Sequence, residues 1–173
     1  RIDNIAVFER GTAVGGTWRD NTYPGAACDI PSSLYSYSFA PNPDWSHTYS
    51  GSAEILQYIE RMVEDFGVRP FLRLGHNVTG VSWIDAEQVW ELSFTDQVPV
   101  RARSVVMASG PLANASFPSI RGIESYEGHK IHSARWDHDY DFTDKKVAVI
   151  GTGASGVQIV PELVKVAKSV KVF

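Results

Sequence analysis

An α/β fold with parallel strands is the class this sequence predicts, on three observations. Residues 145–160 read KKVAVIGTGASGVQIV: an apolar run, then Gly151-x-Gly153-x-x-Gly156, then a helix-like segment. Near the other end, the apolar run Ile5-Ala6-Val7-Phe8 closes on an acidic residue, Glu9. Between them, residues 70–108 carry β signals that include a hairpin. A strand feeding a glycine loop and a helix is the first half of a dinucleotide-binding unit, and a strand closing on an acid is its second strand. The chain is therefore expected to hold two Rossmann-like dinucleotide-binding domains, both truncated, with a β-hairpin region in the first.

The glycine loop has a physical logic. Gly151 allows a tight turn, Gly153 lets backbone approach a pyrophosphate, and Gly156 lets the helix pack closely on the strand. The helix start offers unpaired N–H groups and the positive end of a dipole to phosphate. Gly151, Thr152, Gly153, Ala154, Ser155 and Gly156 are expected to hold the pyrophosphate, with Ser155 and Gln158 as polar contacts. Glu9 is expected to bond a ribose from the end of the first strand, with its own glycine loop upstream of Arg1.

Composition bounds the alternatives. With 43% hydrophobic residues, the 173-residue chain has enough apolar material for a core. A net charge of −4 argues against a nucleic-acid partner, which needs a basic face. The single cysteine, Cys28, excludes an internal disulfide and suits a reducing cytoplasm. No apolar stretch is long enough to span a bilayer, so no membrane partner is expected. The chain starts nearly inside one strand and stops inside another, Val170–Phe173, which reads as an excerpt of a longer protein.

Residues 10–50 show no helical period, but their aromatic content argues for order. Residues 52–66 place Ile55, Ile59, Met62, Val63 and Phe66 at helical spacing, with Ser52 as N-cap and Gly67 as stop. Pro70–Leu74 reads as a short strand, and Val78–Ile84 and Gln88–Phe94 flank a turn at 85–87. The segment from Val100 alternates and then becomes a buried run, Val105–Ala108, before Ser109-Gly110-Pro111. Residues 111–141 are irregular, and Pro161 is expected to kink the last helix. The histidines show no metal-ligand spacing.

Gly15-Gly16-Thr17-Trp18, Tyr23-Pro24-Gly25, the pair Cys28-Asp29 and Tyr35-Ser36-Tyr37-Ser38-Phe39 occur in that order. Further on stands Tyr126-x-Gly128-x-x-x-His132-x-x-x-Trp136-Asp137. These motifs resemble the flavin-dependent monooxygenases of the Baeyer–Villiger type, whose fingerprint is F-x-G-x-x-x-H-x-x-x-W-[PD]. Tyr126 in place of Phe keeps an aromatic ring, and Ala108-Ser109-Gly110 stands where the family has Ala-Thr-Gly. Ala27 occupies a position where many members carry a larger residue, often Arg.

The resemblance implies FAD and NADP as cofactors. It implies an FAD-binding domain over 1–115, a linker with the fingerprint over 116–141, and the start of an NADP-binding domain over 142–173. It implies insertion of oxygen from O2 beside a ketone carbonyl through a flavin C4a-peroxide. The rivals are an N- or S-oxygenating relative acting on a sulfide, and a non-catalytic dinucleotide-binding module. By residue, Glu9 resembles the FAD ribose ligand. Gly16, Thr17 and Trp18 resemble the segment along the flavin, Tyr35 another FAD contact, and Val78 a backbone contact to adenine. Asp29 resembles the catalytic acid beside flavin and nicotinamide, orienting an arginine expected beyond Phe173. His132 reads as a linker residue that bonds backbone, not as a general base. The excerpt alone is expected to be inactive.

Overall fold

Residues 4–110, 112 and 114–173 are described by a computed structural model of the chain. Expectations that fall on residues 1–3, Pro111 and Ala113 lie outside it. The described residues form two units that are not contiguous in sequence: 4–16 with 59–112, and 17–58 with 114–173. The segment 17–58 thus groups with the C-terminal part of the chain, where the sequence reading placed it with 1–115.

In the first unit, β1 (Val7–Glu9) and β2 (Leu72–Leu74) pair in parallel, Val7 opposite Leu72 and Glu9 opposite Leu74. The His76 N–H donates to the Glu9 carbonyl at 2.9 Å and continues the ladder. β3 (Val78–Ile84), β4 (Val89–Phe94) and β5 (Val100–Ala102) form an antiparallel meander. The expected hairpin is present, and Gln88 closes its turn at φ +53°. Leu92 and Phe94 are buried, and Phe94 packs against Phe8 at 4.9 Å between ring centroids.

α1 (Thr17–Asp20) is a single turn, and α2 (Ser52–Asp65) is the expected amphipathic helix. Its cap differs by one residue. The Gly51 carbonyl accepts the first bonds, from the Glu54 and Ile55 N–H groups, so Gly51 is the cap and Ser52 the first helical residue. The stop is as expected. Gly67 takes φ +61°, with Val68 N–H bonded to Val63 O and Gly67 N–H to Glu64 O. That is the Schellman closure, which glycine enters without a Cβ penalty. Ile55 and Val63 are buried, whereas Phe66, the residue just before the stop, is exposed. Tyr58, outside the apolar pattern, is buried, because its hydroxyl donates to Ala40 O at 2.7 Å and accepts from Tyr37 N–H at 2.8 Å.

The second unit carries β6 (Lys146–Val149), α3 (Ala154–Leu163) and β7 (Ser169–Val172). β6 and β7 run parallel, as a strand–helix–strand crossover requires. Tyr23, Ile159 and Leu163 form its core, with Ala26, Trp136, Phe142, Val147, Val149 and Val170 packed around them. Pro161 lies inside α3, which continues two residues past it. Near a C-terminus, the bond lost by its missing N–H is one of few that remain.

Three apolar runs are less buried than the sequence reading expects. Ile5 and Val7 are exposed, Ile150 is exposed, and Val106 and Met107 stand 90% and 69% exposed without forming a strand. Parallel strands are buried on both faces only when strands flank them and helices cover them. Among the described residues β1 has one neighbour, β6 has one, and residues 104–110 have none.

Candidate functional site

The glycine loop connects β6 to α3. Gly151 takes φ +116°, a conformation that favours glycine, and its N–H donates to Phe173 O at 2.9 Å. Gly153 caps α3 in extended geometry, and a Cβ built there meets nothing within 4 Å. Gly156 is the tight point, since a Cβ there would stand 2.5 Å from the Gly151 carbonyl oxygen. The first intrahelical bond runs from Val157 N–H to Gly153 O at 3.1 Å. Helix geometry then leaves the N–H groups of Ala154, Ser155 and Gly156 without an intrahelical acceptor among the described residues. Beside this loop lies a cleft of about 230 Å³, lined by Gly151, Thr152, Gly156, Val157, Val160, Pro161 and Val172.

Gln158 does not face this loop as a spare polar group. Its Oε1 accepts from Tyr23 OH at 2.8 Å and from Ala27 N–H at 3.3 Å, and its Nε2 donates to Ala27 O at 2.9 Å. Three of the carboxamide's four hydrogen-bonding positions go to the 23–27 loop, partners that the expected role as a pyrophosphate contact does not include.

That loop leads to Asp29, which is exposed. Cys28 beneath it is buried, its Sγ 3.7 Å from Ser32 Oγ. Trp18 and Tyr35 meet edge-to-face at 5.1 Å between centroids. Burial raises the Tyr35 phenol above its ordinary value, and the charges of Asp29 and Cys28 raise it further. Trp18, Asp29 and Tyr35 are thus neighbours in the second unit, which also holds the glycine loop.

Glu9, Gly16 and Val78 belong to the first unit. Glu9 ends β1, and its Oε1 accepts from Gly11 N–H at 2.6 Å, which fixes the carboxylate at the strand end. Gly16 takes φ +48° directly before α1, and Val78 opens β3.

The fingerprint segment has its own geometry. The Tyr126 ring lies over Gly128, where any Cβ would overlap it. His132 accepts the Ala134 N–H at Nδ1 (3.1 Å) and stacks edge-on against Phe117, the backbone-bonding role expected of it. Trp136 packs on Phe142 at the core of the second unit. Among the described residues no group of three or more His, Cys, Asp or Glu side chains is placed to hold a metal ion. No helix among them is long and apolar enough to cross a membrane.

Residues 25–173 match the family model for pyridine nucleotide-disulphide oxidoreductases. The chain belongs to that family. Within it, the chain is similar to the Baeyer–Villiger monooxygenase of Streptomyces coelicolor, 51% identical over 163 residues, covering 94% of this chain and 31% of that protein. Its fold matches the OTEMO structure solved with FAD and NADP, at TM-score 0.88 and 37% identity over 97% of this chain and 33% of that one. Cyclohexanone monooxygenase from Rhodococcus sp. Phi1, bound to NADP+, matches at TM-score 0.85 and 37% identity, covering 97% of this chain and 32% of the other. The chain spans about a third of the length of these relatives. The fold is α/β of the dinucleotide-binding kind, and the expected resemblance is found.

Proposed function

We propose that this chain is the part of an NADPH- and O2-dependent flavoprotein monooxygenase that binds both nucleotides, and that the whole protein inserts oxygen beside a ketone carbonyl. The carrying observation is the glycine loop. Gly156 sits against the Gly151 carbonyl while Gly153 leaves its side of the loop open, with three uncommitted helix N–H groups behind it. This cradle fits a pyrophosphate, since a Cβ at Gly153 would occupy the open approach and an anion gains from the helix end. The relatives solved with FAD and NADP support the choice of cofactors.

FAD, when bound, supplies the oxygen activation and NADPH the electrons. The chain's residues hold and orient. Gly151 through Gly156, with Ser155 in the first turn of α3, grip the NADP pyrophosphate. Glu9 holds the FAD ribose from the end of β1, with Val78 offering backbone to the adenine. Gly16, Thr17, Trp18 and Tyr35 would lie along the flavin, where the Trp18 and Tyr35 rings would exclude water. Asp29 is the catalytic acidic residue, whose carboxylate would orient a cation where flavin and nicotinamide meet. Domain boundaries at 1–115, 116–141 and 142–173 describe cofactor allegiance in this reading.

The test uses the full-length protein with a cyclic ketone and a sulfide as separate substrates. A flavin absorbance band, ketone-stimulated NADPH oxidation and an ester or lactone product are expected. A colourless protein that binds NADP, or sulfide oxidation without ester formation, would overturn the reading.

A further inference from the structure

The loop that leads to Asp29 is held at both edges, and one of those edges is a side chain. Residues 26–28 run as a strand fragment, with Ala27 bridged antiparallel to Gly51. Along that edge, Ser52 N–H donates to Ala26 O at 2.8 Å and Cys28 N–H to Ser50 O at 3.0 Å. The Ala27 N–H and carbonyl point the other way, where a second strand would normally lie. Among the described residues no strand pairs with them. The Gln158 carboxamide takes both, accepting from one and donating to the other. Its orientation is fixed, because a flipped amide would set its NH2 against the Ala27 N–H and its oxygen against the Ala27 carbonyl.

The helix supports the loop in two further ways. A Cβ at Gly25 would stand 2.7 Å from the Gln158 backbone oxygen, so the loop lies directly on α3. Tyr23 is buried beside Ile159 and Leu163, and its hydroxyl reaches the same Gln158 Oε1. Gln158 stands two residues beyond Gly156, and Asp29 two residues beyond Ala27.

We infer that Gln158 is a positioning residue for Asp29. It acts through the Ala27 backbone and fastens the acid's loop to the helix that carries the nucleotide-binding glycines. Three of the four hydrogen-bonding positions of its carboxamide face the loop. This inference rests on the monooxygenase reading for Asp29.

The test is a double-mutant cycle in the full-length protein: Gln158→Ala, Gln158→Glu, Asp29→Asn and the combinations. Gln158→Glu keeps the side chain's size but sets a carboxylate oxygen against the Ala27 carbonyl. Each Gln158 variant is expected to keep its flavin and an NADPH KM within about twofold of the parent, while kcat falls by about tenfold or more. A larger share of the oxidised NADPH should then end as hydrogen peroxide. In the Asp29→Asn background the Gln158 substitutions should change kcat little further, because both act on one group. Additive losses overturn the inference, as does a KM rise at constant kcat, which would make Gln158 a nucleotide ligand. Loss of flavin from both single variants also overturns it, by making Gln158 a folding residue. A parent protein that binds flavin but forms no ester from ketones fails the monooxygenase reading instead, before any variant is compared.

Discussion

Replacing Gly156 and Gly153 by alanine should separate folding from nucleotide binding within one loop. At Gly156 the added Cβ meets the Gly151 carbonyl oxygen at 2.5 Å, well inside the 3.4 Å where ordinary contact begins. That oxygen is main chain and cannot swing aside, because the Gly151 N–H is bonded to Phe173 and its φ is +116°. The helix must retreat from β6 by several tenths of an ångström. Overpacking of this kind costs about 1–3 kcal/mol, against a gain of about 1 kcal/mol from alanine's helix propensity. A Cβ 2.5 Å from fixed main chain puts the overpacking in the upper part of that range, about 2–3 kcal/mol, so the net loss is about 1–2 kcal/mol, which lowers Tm by roughly 2–8 °C in a domain of 150–250 residues. At Gly153 the Cβ meets nothing within 4 Å and φ is −72°, so the fold is spared apart from a capping preference of about 1 kcal/mol or less. The same Cβ fills the side from which a pyrophosphate must approach, so NADP affinity should fall about tenfold or more. Scanning calorimetry and calorimetric NADP titration of the full-length protein read both. Wild-type affinity in Gly153→Ala, or wild-type Tm in Gly156→Ala, would refute the reasoning.

Three further outcomes follow from local geometry. Gly67→Ala should cost about 1 kcal/mol, because φ +61° strains any Cβ even though nothing lies within 4 Å; thermal unfolding reads it, and an unchanged Tm contradicts it. Hydrogen bonds from the Ser46 hydroxyl and backbone hold the Glu54 carboxylate below its ordinary 4.5, so its contribution to stability is present above that value and fades as pH falls through the lowered one. Ser46→Ala should flatten the stability profile below about pH 4.5, and an unaltered acid limb in a denaturant series would count against it. Asp29→Asn should bring the Tyr35 phenol part of the way back toward 10, since burial remains the larger cause; a tyrosinate difference titration against Tyr35→Phe checks it, with no movement as the contrary result. As the phenol is raised in the folded chain, stability should decline as pH climbs above 10.

Short-range patterns in this sequence are read from side-chain period and glycine placement, and those features appear in the structure. The hairpin around residues 85–88, the stop at Gly67 and the order β6, glycine loop, α3, β7 all depend on neighbours within a few residues. Burial of Ile5, Ile150 and Val106 was not legible in the same way. Apolar composition states what a strand would bury if covered, and only the pairing of strands decides whether it is.

The candidate site divides along the same line. The roles of Gly151 and Gly156 follow from spacing, because turn and helix packing are local. The loop contacts of Gln158 were not legible, because a polar side chain so close to a phosphate-binding loop already has a local use. Its observed partners lie 131 and 135 residues away in sequence. Nothing in the period or composition of residues 23–27 announces a strand fragment with an open edge. The edge exists only once Gly51 has paired with Ala27 on the opposite side. A part-buried main-chain N–H and carbonyl must then be satisfied, and a primary amide is the one uncharged side chain that offers a donor and an acceptor in the spacing a strand would. The requirement belongs to the loop and the residue that meets it to the helix, so neither segment read alone could show why glutamine stands at 158.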